Sequence, residues 1–274
     1  MSESSEIEHK PFFIFNNKQR KINGDIYLPQ FSSLQRKIPA VFILHGFKGY
    51  KDWGFFPYIS QKFAENEFIS IRFNFSLNGR VENKDVLNVE DFANNTISQQ
   101  IEDLKKIIEA FQNDKLIENN KINEIWNGDI YLLGHSLGAG ISLLASNEIN
   151  SIKKIVLWAS IAYFNRYSER QQEIWKNTGV FEFFDNILQL TLKLNYSYIQ
   201  DIEQNNYSLE SIIKNIQMPI FQLHGSQDVS VKMKEAEKLI EWASDNKYFK
   251  YEIIERCGHT FGIKHPFTKT SDIL

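Results

Sequence analysis

The chain has 274 residues, 42% of them apolar, and a formal net charge of -3 with acids and bases interspersed. That length and balance suit one large α/β domain spanning 1–274 and exclude a nucleic-acid footprint or a basic membrane-binding face. The polar, acidic start Met1-Ser2-Glu3-Ser4-Ser5-Glu6 is not a secretion signal, no apolar run approaches a membrane span, and the lone Cys257 excludes an intrachain disulfide, so a cytoplasmic protein is expected.

Residues 12–16 and 21–28 read as an opening hairpin. Pro39-Ala40-Val41-Phe42-Ile43-Leu44 is continuously apolar, the pattern of a strand covered on both faces of a parallel sheet. A helix is expected at 56–66 and a strand at 68–75. Ile97, Ile101, Leu104, Ile107, Ile108 and Phe111 recur at helical spacing within 94–113. Further strands are read at 130–133, 155–159, 219–223 and 249–254, with a helix at 231–243. Strands alternating with helices imply a mostly parallel sheet with right-handed crossovers and helices on both faces.

One stretch breaks this rhythm. About sixty residues, 160–218, separate two strands that a single helix could join. The stretch is rich in aromatics, among them Tyr163, Phe164, Tyr167, Trp175, Phe181 and Tyr198. It reads as a mostly helical lid or cap, with most of its rings in its own small core and a few facing a pocket.

Gly134-His135-Ser136-Leu137-Gly138 lies between the apolar run Ile130-Tyr131-Leu132-Leu133 and the small and apolar residues 139–145. A G-x-S-x-G between strand and helix is the pattern of a nucleophile elbow, whose tight turn lifts the serine hydroxyl clear of the sheet. A bare match arises by chance roughly 0.1 times in a chain this long, and the strand and helix around it lower that further.

A serine hydroxyl needs a base, a group to orient that base, and N–H donors for the oxyanion. His259, in the loop after the last strand, is the candidate base, with His265 its main rival. Asp228, after the strand at 219–223, falls between serine and histidine in chain order and is the candidate acid. It also suits the cap of the following helix. The other position for an acid, after the strand at 155–159, holds Ser160. His45-Gly46-Phe47-Lys48-Gly49 follows the strand ending at Leu44. It offers the N–H of Phe47, to pair with the N–H of Leu137 in an oxyanion hole. His45 and His224 end strands ahead of glycines and are read as supports of their turns. His9 is read as part of the N-terminal tail.

Together these residues resemble the α/β-hydrolase superfamily. The runs His45-Gly46-Phe47-Lys48-Gly49, Lys51-Asp52-Trp53-Gly54 and Arg72-Phe73-Asn74-Phe75-Ser76, with Asn78-Gly79, are similar to its dienelactone-hydrolase-like and cinnamoyl-esterase-like branches. The resemblance covers roughly residues 12–268. It implies Ser136 as nucleophile, His259 as base, Asp228 as orienting acid and backbone N–H groups of Phe47 and Leu137 at the oxyanion. Dienelactone hydrolases use a cysteine nucleophile, so the serine favours a hydrolase of small carboxylic esters, acyl or aryl-acyl, with no cofactor and no metal. Such folds carry a closing helix after the histidine; the chain reaches Leu274 with Pro266 in the way, and that helix is expected to be absent. A monomer or homodimer follows. The alternatives are a serine aminopeptidase or amidase, using carboxylates such as Glu169, Glu173, Glu182 and Asp185 to bind an amine, and a ligand-binding protein without catalysis.

Overall fold

The structure is a computed structural model that describes residues 7–30, 34–81, 87–118, 122–186 and 188–270. Its frame is an eight-stranded sheet. In chain order the strands are β1 (Glu8–Phe15), β2 (Lys21–Leu28), β3 (Ile38–Leu44), β4 (Ile69–Phe73), β5 (Trp126–His135), β6 (Ile152–Trp158), β9 (Ile220–Gly225) and β10 (Phe249–Ile254). Their spatial order is β1-β2-β4-β3-β5-β6-β9-β10. β2 runs antiparallel to both β1 and β4, and the pairings from β4 to β10 are parallel. His9 belongs to β1, with Nε2 2.9 Å from Asp25 Oδ1, and not to a tail.

The apolar run of β3 is explained by burial on both sides. Phe42 joins one core with Leu132, Leu157, Ile107, Phe111 and Leu239, drawn from the sheet and from α3 (Ile97–Gln112) and α9 (Met233–Trp242). Val41 and Ile43 join a second core with Leu133 and with Phe55, Phe56 and Ile59 of α1 (Phe56–Glu65) and its cap. Helices therefore cover both faces, as a parallel sheet requires. α3 starts where Thr96 Oγ1 accepts the Gln99 N–H at 3.2 Å, a serine/threonine cap that turns the chain into the helix. Two short helices, α2 (Val89–Ala93) and α4 (Ile122–Ile125), were not evident in the sequence pattern.

The stretch 160–218 departs from the helical expectation. It contains α6 (Glu169–Thr178), an antiparallel hairpin of β7 (Val180–Asp185) and β8 (Leu190–Asn195), then α7 (Ser197–Asn205) and α8 (Leu209–Asn215). The reason is local. Leu190-Thr191-Leu192-Lys193-Leu194 alternates with period two, and Leu192 and Leu194 are buried while Thr191 and Lys193 are exposed. Trp175 is fully buried against Tyr167, Phe181, Tyr196 and Tyr198, so these rings pack the stretch itself.

After β10 the described residues 255–270 contain no helix. Phe261 and Ile263 instead reach back into the α1-side core, Phe261 against Trp158. On the same face Phe221 keeps 36% of its surface exposed. Among the described residues no helix is long and apolar enough to cross a membrane, and no cluster of three or more His, Cys, Asp or Glu has metal-binding geometry.

Candidate active site

Strand order reverses at β3, which sends the chain to β4 on one side while β5 returns on the other. Crevices open at such switch points, beyond the strand C-termini. Leu44 pairs with Gly134, so β3 and β5 end level and their loops emerge side by side.

Ser136 sits at the β5-to-α5 turn, with α5 spanning Leu137–Ser146. Its φ of 57° and ψ of -116° lie where L-residues are strained. The strain is maintained from both sides. The Ser136 N–H donates to Trp158 O at 2.8 Å, which ties the turn to β6. A Cβ on Gly138 would lie 2.5 Å from the carbonyl oxygens of Leu44 and His45, so only glycine lets α5 rest on the end of β3. The Ser136 hydroxyl caps nothing and faces a cavity.

Asp228 and His259 come together from the loops after β9 and β10. Asp228 Oδ2 lies 2.7 Å from His259 Nδ1. Asp228 Oδ1 accepts the N–H groups of Ser230 at 2.8 Å and Val231 at 2.9 Å. Burial alone would raise this carboxyl. The hydrogen bond and charge of His259, with the two N–H donors, outweigh burial and keep it below the usual carboxylate range. His259 Nδ1 therefore carries the proton that the carboxylate accepts, and Nε2 is the basic nitrogen. His224 braces the same loop, with Nε2 donating to Val231 O at 2.9 Å.

The two expected N–H carriers line the same cavity as the serine. Leu137 is the first residue of α5, so its N–H has no intrahelical acceptor. The Phe47 N–H makes no hydrogen bond to another described residue. The turn that carries it is set by His45, whose Nδ1 donates to Gly46 O at 2.9 Å while Nε2 accepts from Phe75 N–H at 3.3 Å. Burial pushes the His45 imidazole down to about 4, so it stays neutral as this double role demands. Gly46 passes so close to the elbow that a Cβ would stand 2.9 Å from Ser136 Cβ.

Ser136, Phe47 and Leu137 share a cavity of about 780 Å³ with Phe164, Tyr167 and Tyr198. Its wall does not include His259, which stands beside the elbow through His135. The Ser136 hydroxyl has no hydrogen bond to another described residue. The 160–218 stretch contributes Phe164, Tyr167 and Tyr198 to this wall, and Asp185 of β7 holds Lys48, the neighbour of Phe47, at 2.6 Å.

The remaining candidates lie elsewhere. His265 is engaged by Tyr50 Oη at 2.9 Å and by the Gly54 N–H at 3.1 Å, away from the cavity wall. Ser160 is buried and donates to Ile161 O. Glu169 and Glu173 are exposed, Glu182 pairs with Lys193 and Asp185 with Lys48; none of these carboxylates lines the cavity. Two features escaped the sequence reading. One is His135, set aside there as part of the elbow motif. The other is the set Arg166, Lys232, Lys234 and Lys238 in the cavity wall. Lysines crowding the start of a helix, where the dipole disfavours them, are the signal that could have exposed the second.

Known structures with the same architecture are numerous. The complex of Est1E from Butyrivibrio proteoclasticus with ferulic acid superposes with a TM-score of 0.68 at 18% identity, covering 91% of each chain. The α/β hydrolase GrgF from Penicillium gives 0.68 at 15% identity, covering 93% of each chain. The Pyrococcus furiosus esterase Pf2001 gives 0.60 at 16% identity, covering 92% of this chain and 82% of its own. No protein-family model matches the chain, and no curated protein matches it by sequence. The chain has the α/β-hydrolase fold.

Proposed function

We propose that this α/β-hydrolase-fold chain is a serine hydrolase that cleaves a small carboxylic ester through an acyl-enzyme. The observation that carries the reading is the pairing of His259 Nδ1 with the buried Asp228 carboxylate at 2.7 Å, next to an elbow serine at φ 57°. Ser136 Oγ attacks the ester carbonyl carbon while His259 Nε2 takes its proton. The carbonyl oxygen gains the displaced electron pair and is met by the N–H groups of Phe47 and Leu137. Collapse of the tetrahedral intermediate expels the alcohol, which takes the proton from His259. Water, deprotonated by the same nitrogen, then attacks the acyl-enzyme and frees the acid. Asp228 keeps the imidazole in the required tautomer and stabilises its charged form.

Residues 160–218 act as the cap. A cavity of about 780 Å³ with aromatic walls admits an acyl or aryl-acyl group. The neighbour solved with ferulic acid fits that class. The amide alternative needs carboxylates at the cavity to bind an amine, and the four in the cap lie outside its wall.

The test is hydrolysis of p-nitrophenyl esters from acetate to octanoate by wild type and Ser136→Ala, with fluorophosphonate labelling of both. Turnover and labelling by wild type alone support the reading, and the chain-length optimum sizes the pocket. A wild type that neither turns over nor labels at Ser136 leaves the ligand-binding alternative.

A further inference from the structure

The wall of the cavity that holds Ser136 is strongly biased in charge. Arg166, Lys232, Lys234 and Lys238 contribute cations, and Glu235 is the sole carboxylate among the wall residues. The chain as a whole is net negative, so the bias is local. Glu235 is spoken for: Oε1 binds Arg166 at 2.7 and 3.1 Å, and Oε2 accepts the Ala162 N–H at 3.0 Å. Lys238 binds the exposed carboxylate of Glu241 at 2.9 Å. Lys232 and Lys234 are exposed and form no ion pair with any described residue.

The position of these two lysines is itself costly. Lys232 is the N-cap of α9 and Lys234 lies in its first turn, and no side chain caps that end. The positive end of a helix dipole repels cations and attracts anions. Glu235 shares that first turn but is bound to Arg166 and the Ala162 N–H, so the charges of Lys232 and Lys234 on the cavity wall have no ion-pair partner among the described residues. Local rules broken in this way mark a function elsewhere.

We propose that the ester bound here carries an anionic group, a carboxylate or a phosphate, which Lys232, Lys234 and the start of α9 receive while the scissile carbonyl lies at Ser136. The inference rests on the hydrolase reading and sharpens it: an apolar or aromatic body sits between Phe47 and the cap, and the charge sits toward α9.

The test compares mono-p-nitrophenyl glutarate with its methyl ester, which has the same chain and leaving group without the charge. Wild type and the Lys232→Glu/Lys234→Glu double variant are assayed on both. Glutamates suit the first turn of a helix, so the variant folds. The neutral ester is the internal reference, and the quantity read is the ratio of kcat/KM for the charged over the neutral ester. That ratio falls about tenfold or more in the double variant, and about 1 M NaCl lowers it in wild type. A ratio unchanged by both the double variant and salt overturns the proposal. Inhibition of neutral-ester hydrolysis by benzoate against phenyl phosphate separates carboxylate from phosphate. If wild type cleaves neither ester, the hydrolase reading fails. Equilibrium binding of the two esters to Ser136→Ala, with and without the lysine substitutions, then reads the charge preference alone.

Discussion

His135 Nε2 lies 3.0 Å from the backbone oxygen of His259. The residue before the elbow serine thus ties down the loop that carries the proposed base. Burial, reinforced by the neighbouring His259, drives the His135 imidazole down to about 3, so it is neutral and its Nε2–H is the donor. The two rings stand 4.6 Å apart, with Phe55 edge-on behind His135 at 5.5 Å. His135→Phe keeps the ring and removes the donor. We expect kcat to fall about tenfold with KM nearly constant, since a lost buried hydrogen bond costs about 1–3 kcal/mol. His135→Gln, which can still donate, recovers part of the loss. Steady-state kinetics on p-nitrophenyl butyrate decide it, and equal kcat in all three proteins removes the tether from the account.

Asp228→Asn tests the acid without disturbing its loop. The asparagine oxygen can still accept from Ser230 and Val231, which the carboxylate now does at 2.8 and 2.9 Å. The amide face turned to His259 would favour the wrong tautomer. The expected loss is about 10⁴-fold in kcat with little change in melting temperature. A variant with more than a tenth of wild-type activity would exclude Asp228 as the orienting acid.

Gly138→Ala should be severe and Gly258→Ala mild. The new methyl at 138 meets backbone oxygens at 2.5 Å, which cannot rotate away as a side chain can, whereas at 258 its nearest neighbour is 3.9 Å distant. A cost of about 1–3 kcal/mol or more is expected for the first and under about 0.5 kcal/mol for the second. Urea unfolding of both variants checks the order, and a reversed order would mean that α5 does not sit on β3 as described.

Stability should fall as pH drops from about 6.5 toward 4. His45 and His135 are held at about 4 and about 3, each chiefly by burial, and His224 is lowered for the same leading reason. In that window the unfolded chain binds protons that the folded chain refuses, so the stability present above pH 6.5 is progressively lost. Asp103 opposes this: burial raises its carboxyl, so its contribution grows as pH falls. Three histidines against one carboxylate leave the net slope toward acid instability. His45→Gln should remove about 1.4 kcal/mol per pH unit of that slope. Urea midpoints measured across the window test this, and a flat profile in wild type would contradict the buried neutral histidines.

The parts of the protein that depend on neighbours in the chain were legible without coordinates. The elbow is written in five consecutive residues because its turn needs small groups at fixed offsets. The unbroken apolar run of β3 announces a strand covered on both faces. The order of Ser136, Asp228 and His259 follows strand ends that hydrophobic runs mark. Even the β7–β8 hairpin has a period-two trace in Leu190–Leu194, masked by flanking segments whose pattern is helical.

What depended on separation in sequence was decided by the tertiary structure. His135 meets the His259 carbonyl across 124 residues, and no pattern around position 135 implies an acceptor there. Asp185 grips Lys48 across 137 residues, joining β7 to the loop that carries Phe47. The cationic wall is assembled from Arg166 in one loop, Lys232 and Lys234 at the start of α9 and Lys238 further along it. In the composition these charges are balanced; in space Arg166 and Lys238 meet carboxylates, while Lys232 and Lys234 form no ion pair with a described residue. Hydrophobic periodicity fixes which face of an element is buried; which partners then meet across the crevice is set by the sheet order and the close approaches that only the folded chain creates.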